Sequence, residues 1–153
     1  MRVVVNTSPL IALERIGQLE LLKRMYGVVV RPRSVLDELN AGRGTYDLSP
    51  LLEHADWIVT EPDPPEMVLR RELGAGETAA IALAVRTQAD LVILDDLQAR
   101  LVAQTQGLAI TGTLGVLIAA QQAGYLSDVK EAFRRLQDAG FRIPIALKEE
   151  YGV

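Results

Sequence analysis

The sequence predicts an α/β fold, a mostly parallel sheet with helices on both faces. Two observations predict it. Short β-branched runs such as Val3-Val4-Val5 alternate with helix-length segments along the whole chain. Those runs are also apolar throughout, as strands covered on both faces require.

Taken in order, residues 3–6 read as a buried strand. Ser8-Pro9 opens a helix, with Ser8 as N-cap and Pro9 at the first helical position. That helix ends near Gly17, and a second covers 19–26. Residues 28–30 form a strand, and Ser34 caps a short helix over 35–40. Gly42-Arg43-Gly44 is a loop, 50–55 a helix and 57–60 another short strand. Glu61-Pro62-Asp63-Pro64-Pro65 is a surface connection. Two helices follow from Glu66, separated by Gly74-Ala75-Gly76. The second, through Thr78-Ala79-Ala80-Ile81-Ala82-Leu83-Ala84, is small enough to pack close to a sheet. Residues 91–94 form a central strand ended by Asp95-Asp96. Helices over 97–106, 114–123, 127–139 and 144–151 follow, with a strand at 108–111.

At 153 residues the chain suits one domain, 1–153. Its 49% hydrophobic content excludes disorder. No apolar stretch approaches the roughly 18 residues of a membrane span, and the N-terminus runs into a strand without a signal-peptide cleavage pattern. The absence of cysteine removes disulfides and thiolate metal sites. A cytoplasmic protein without a membrane partner is the expectation. The net charge of −4 and pI near 5.0 argue against a high-affinity DNA-binding module. They are compatible with a nuclease whose carboxylates neutralise a cation.

Ligands of such sheets bind at the carboxyl ends of the strands. There the sequence places Asn6-Thr7-Ser8, Asp95-Asp96 and Thr111-Gly112-Thr113, joined by Glu38 and Glu77 from helices. Each has a structural alternative. Ser8 and Thr113 serve as helix caps, Asn6 as a turn-former, and Glu77 as a charge against a helix dipole. Glu38, beside Asp37, belongs on an exposed helix face. Since adjacent strand residues point to opposite faces, one of Asp95 and Asp96 faces the pocket while the other caps the next helix. Together these oxygens suit a hard cation.

The order of motifs resembles the PIN-domain superfamily of metal-dependent ribonucleases. The matching stretches are 3–13, opening Val3-Val4-Val5-Asn6-Thr7-Ser8-Pro9; 32–38, Pro32-Arg33-Ser34-Val35-Leu36-Asp37-Glu38; 73–84, opening Leu73-Gly74-Ala75-Gly76-Glu77; 93–100, opening Ile93-Leu94-Asp95-Asp96; and 111–117, opening Thr111-Gly112-Thr113. The nearest branch is the prokaryotic one whose first motif begins Asn-Thr-Ser-Pro. The resemblance implies a three-layer α/β/α sandwich with strand order 3-2-1-4-5. It also implies a site binding Mg²⁺ or Mn²⁺, and cleavage of single-stranded RNA by an activated water. Many relatives are toxins with a small antitoxin, and many are homodimers. Carried over by position, Asn6, Glu38, Glu77, Asp95 and Asp96 are metal-site residues, the four acids being catalytic; Thr7 and Ser8 line the pocket.

The chain departs from the superfamily at Asn6, where an aspartate is usual. An amide oxygen contributes no charge, so cation binding weakens, and a non-cleaving binding module is the alternative function. A phosphorylation-type receiver would carry its acidic pair after the first strand, where this chain has Asn6-Thr7. Basic residues are scattered. Arg31 and Arg33 are placed to steer phosphate, with a solvated surface as the alternative, and Arg100 to orient Asp96 through an i, i+4 contact. The one histidine, His54, lies away from every motif.

Overall fold

The computed structural model describes residues 1–42, 56–65 and 73–153. The helix expected over 50–55, with His54, and the one expected to begin at Glu66 lie outside the described residues. Five strands form one sheet: β1 (Val3–Val5), β2 (Val29–Pro32), β3 (Ile58–Glu61), β4 (Leu91–Ile93) and β5 (Ile110–Thr111). Their order is β3-β2-β1-β4-β5, and every pairing is parallel. The described helices are α1 (Thr7–Arg15), α2 (Glu20–Tyr26), α3 (Arg33–Ala41), α4 (Ala75–Arg86), α5 (Leu97–Thr105), α6 (Thr113–Gln122), α7 (Val129–Asp138) and α8 (Ile145–Tyr151).

The pleat of β1 explains the layers. Val3 and Val5 face one core, with Leu10 and Leu13 of α1, Val116 and Leu117 of α6 and Phe133 of α7. Val4 faces the other, with Ala80 and Ala84 of α4 and Ala99 and Ala103 of α5. A strand buried on both sides has no polar side to show, hence its unbroken apolar run. The alanines of α4 and α5 let both helices lie close to the sheet. Tyr151 of α8 meets the buried Phe133 edge-on at 5.2 Å between ring centroids, tying the C-terminal helix to α7.

Several helix starts differ from expectation, and at each an acidic side chain distant in sequence accepts a hydroxyl or a first-turn N–H. Ser8 is not the N-cap of α1; Asn6 is, without a side-chain cap bond, and Pro9 is the third helical residue. Its missing N–H falls among the first-turn donors that have no intrahelical partner. The Ser8 hydroxyl donates instead to Asp95. Ser34 does not cap α3, which starts two residues earlier than expected, after Pro32. Its N–H donates to Asp63 at 3.0 Å and its hydroxyl to the same carboxylate. Thr113 is the first residue of α6, with Gly112 at the cap. The Gly74-Ala75-Gly76 stretch does not separate helices at Gly76; α4 already begins at Ala75. Strand β2 also continues two residues past its expected end, with Arg31 and Pro32 paired to Thr60 and Glu61.

Candidate functional site

From the central β1 the chain runs outward to β2 and β3, then returns to β4 on the other side. The strand order therefore reverses between β1 and β4, where a crevice opens at the carboxyl ends. The Asn6 N–H donates to the Ile93 carbonyl at 3.1 Å and sets the two strand ends side by side. Asn6-Thr7-Ser8 leaves one, and Leu94-Asp95-Asp96 the other.

Glu38 reaches this point from the middle of α3. Its carboxylate accepts the Thr7 hydroxyl at 2.5 Å and the Gly76 N–H at 2.8 Å. A Cβ on Gly76 would lie 2.6 Å from Glu38 Oε2. A side chain at this position in the first turn of α4 would therefore displace the carboxylate from its seat, and the glycine's helix-propensity cost of about 1 kcal/mol is offset by the bond that its N–H makes.

Glu77 is the third residue of α4, and its carboxylate accepts from the Gly74 backbone. That is the reciprocal half of a capping box, with glycine in place of serine at the cap. Burial raises the Glu77 pKa, and the charges of Asp96 and Glu38 raise it further, against the Gly74 bond. Two oxygens here are buried without a hydrogen-bond partner: Asn6 Oδ1 and Glu77 Oε2.

The aspartate pair divides differently from the expected pocket-and-cap arrangement, because both carboxylates serve helix starts. Asp96 accepts the Ala99 N–H at 2.9 Å and caps its own helix, α5. It is also the aspartate whose charge acts on Glu77. Asp95 reaches across to α6, accepting the Thr113 N–H and hydroxyl, each at 2.7 Å, and the Ser8 hydroxyl at 3.2 Å. The structure thus brings Thr7, Glu38, Glu77 and Asp96 together at the switch point, next to the strand end that Asn6 occupies. It sets Asp95 with Ser8 and Thr113, at the polar end of a cleft of about 490 Å³ that Arg100 also lines.

Arg31 and Arg100 sit otherwise than expected, while Arg33 follows the solvated-surface alternative. Arg31 is 4% exposed in β2 and donates from Nε to Thr60 at 3.0 Å, so it is neither a solvated surface residue nor open to phosphate. Arg33 is exposed and pairs with Asp37 one turn on. Arg100 forms no ion pair with Asp96 among the described residues. Its Nη1 lies 3.2 Å from where a Gly112 Cβ would stand, beside Asp95.

Residues 2–151 match the family model DUF3368, described as a PIN domain. The chain belongs to the PIN-domain family. Among solved structures it is similar to a PilT N-terminus domain protein from the hyperthermophilic archaeon Sulfolobus solfataricus P2. The likeness has a TM-score of 0.59 at 17% identity, covering 78% of this chain and 93% of that one, and it shows the fold. No curated protein matches the chain significantly.

PIN domains are generally nucleases and usually use divalent metal ions. The donor set of this PIN domain fits such an ion in kind. It offers oxygens only, two of them buried and unpartnered, among carboxylates that no described lysine or arginine pairs with. Among the described residues, however, no three acidic or imidazole side chains converge as a ready cage. Glu38 is engaged by Thr7 and Gly76, and Asp95 by Thr113 and Ser8.

Sequence reasoning missed three parts of this arrangement. The Gly76 N–H was legible only as a glycine misplaced in a helical first turn. Asp63 caps α3 from 29 positions away, without any local signal. The segment around Phe141, Ile143 and Leu147, which walls the cleft, has an apolar alternation that could have marked it as packed.

Proposed function

We propose that this PIN domain is a divalent-cation-dependent endoribonuclease acting on single-stranded RNA. The observation that carries the reading is the pair of buried, unpartnered oxygens, Asn6 Oδ1 and Glu77 Oε2, set among uncompensated carboxylates at the switch point. A buried polar atom without a partner costs about 1–3 kcal/mol, and like charges beside it add to that cost; an ion of opposite charge relieves both. Asn6, Glu38, Glu77 and Asp96 would hold the ion. Bound there, it would supply a water of lowered pKa and neutralise charge developing on a phosphate.

The chain's own residues do the positioning. Thr7 and the Gly76 N–H fix the Glu38 carboxylate, and Thr113 and Ser8 fix Asp95 at the cleft side. Glu77, with its raised pKa, is the carboxyl of the group most ready to take up a proton when no cation is present. The family resemblance extends the proposal to a toxin role with a small antitoxin, which co-expression with neighbouring genes tests.

A gel assay with single-stranded RNA and Mn²⁺ tests the activity. The wild type cleaves, and a Glu38→Gln/Asp95→Asn double variant does not; equal cleavage by both refutes the assignment. A second reading, a non-cleaving binding module, has its own observation in the neutral Asn6. In that case the wild type binds RNA without cleaving it under either metal, and Asn6→Asp acquires cleavage.

A further inference from the structure

We propose that the cleft beside Asp95 seats one nucleotide of the bound strand, base inward and phosphate at the rim; this deepens the ribonuclease reading and rests on it. The cleft encloses about 490 Å³, within the roughly 300–1,000 Å³ of small-molecule sites. It shares Asp95 and Ser8 with the switch point, so a strand crossing the carboxylates has its next nucleotide at this opening.

The two walls differ in chemistry. Ile110, Ile118, Phe141 and Leu147 form an apolar wall, and Ser8, Asp95, Arg100 and Thr113 a polar end. A nucleobase matches that division: its faces ask only for apolar contact, and its donors and acceptors lie in the plane of its edge. A peptide would bring a backbone N–H and C=O at every residue, and the apolar wall has nothing to pair them with. Arg100 and the exposed Arg142 also line the cleft, neither in an ion pair among the described residues. The Asp95 charge beside Arg100 is already shared among three donors. Two available guanidinium groups lining a largely apolar slot favour an occupant carrying an anion at one end and a flat ring at the other.

Anisotropy with a 5′-labelled single-stranded RNA hexamer in EDTA isolates binding from cleavage. The wild type, Arg142→Glu, Ile118→Trp and the control Arg134→Glu are compared, each with its melting temperature. Arg142→Glu, a change of an exposed residue that leaves the core alone, and Ile118→Trp, which fills the slot, each weaken binding about tenfold or more; Arg134→Glu changes it less than about twofold. Wild-type affinity in Arg142→Glu, or no binding by the wild type itself, overturns the proposal. So does occupation of the cleft by a partner protein with RNA affinity unaltered in both variants. Cleavage by the wild type with unaltered RNA binding in the cleft variants removes this subsite and leaves the nuclease reading standing. Binding that depends on the cleft without any cleavage supports the subsite and removes the nuclease.

Discussion

Replacing Gly76 with alanine sets a helix-propensity gain against the seat of the Glu38 carboxylate. Alanine is favoured over glycine within a helix by about 1 kcal/mol. Its Cβ would lie 2.6 to 2.8 Å from three atoms of that carboxylate, closer than carbon and oxygen can stand, so the carboxylate must leave. Leaving forfeits the bonds from the Thr7 hydroxyl at 2.5 Å and the Gly76 N–H at 2.8 Å. Hydrogen bonds to a charged group contribute about 1.5–3 kcal/mol each, of which a half-buried carboxylate regains part from water. The balance is a net loss of about 1–3 kcal/mol, or a melting temperature lower by roughly 3–10 °C for a chain of this length. In a Glu38→Ala background the obstruction is absent, and the same glycine-to-alanine change stabilises by up to about 1 kcal/mol. Urea denaturation of the four proteins measures the reversal of sign as a coupling energy. Destabilisation of equal size in both backgrounds would refute the reasoning.

Glu77 predicts a pH dependence. Folding raises its pKa above the ordinary 4.5, so the folded protein holds that proton more tightly than the unfolded one. The stability this proton confers is fully present below about pH 4.5 and lost as pH rises through the folded value. Glu77→Gln should therefore stabilise the metal-free protein at pH 7 and bring no gain at pH 4, by thermal melts at both; an equal effect at the two pH values contradicts it. Asn6→Asp adds a charge beside Glu38, Glu77 and Asp96, so metal-free melting should fall by several degrees and millimolar Mn²⁺ should recover most of it, while a Mn²⁺-insensitive loss would count against a shared ion. Arg31→Lys removes the planar donor that meets Thr60 and should cost about 1–3 kcal/mol of stability with RNA affinity unchanged; the opposite pattern would return Arg31 to phosphate steering.

The fold was largely legible because β1 and β4 announce themselves as uninterrupted apolar runs, and α4 as a helix of small residues. Element ends were less so. Ser8, Ser34 and Thr113 each have the chemistry of a cap, yet aspartates from elsewhere in the chain compete for their hydroxyls. Asp63 and Asp95 are 29 and 18 positions from the helix starts they serve, a distance at which local pattern carries no information. At the site, the residue types and the strand ends they follow were readable, as was the consequence of a neutral Asn6. The partition was not. Whether Asp95 or Asp96 acts on Glu77 depends on the rotation of a two-residue loop, and whether Arg31 faces solvent depends on β2 extending past its apolar run. Gly76 shows how a rule of thumb misleads: the glycine that reads as a helix break is the vacancy into which Glu38 fits.

Mn²⁺ titration by calorimetry into wild type, Glu38→Gln and Glu77→Gln reaches the central claim most directly. Saturable uptake of an ion by the wild type that either substitution weakens at least tenfold is the predicted result. Uptake of the same strength in all three proteins, or none in the wild type at millimolar Mn²⁺, would contradict it.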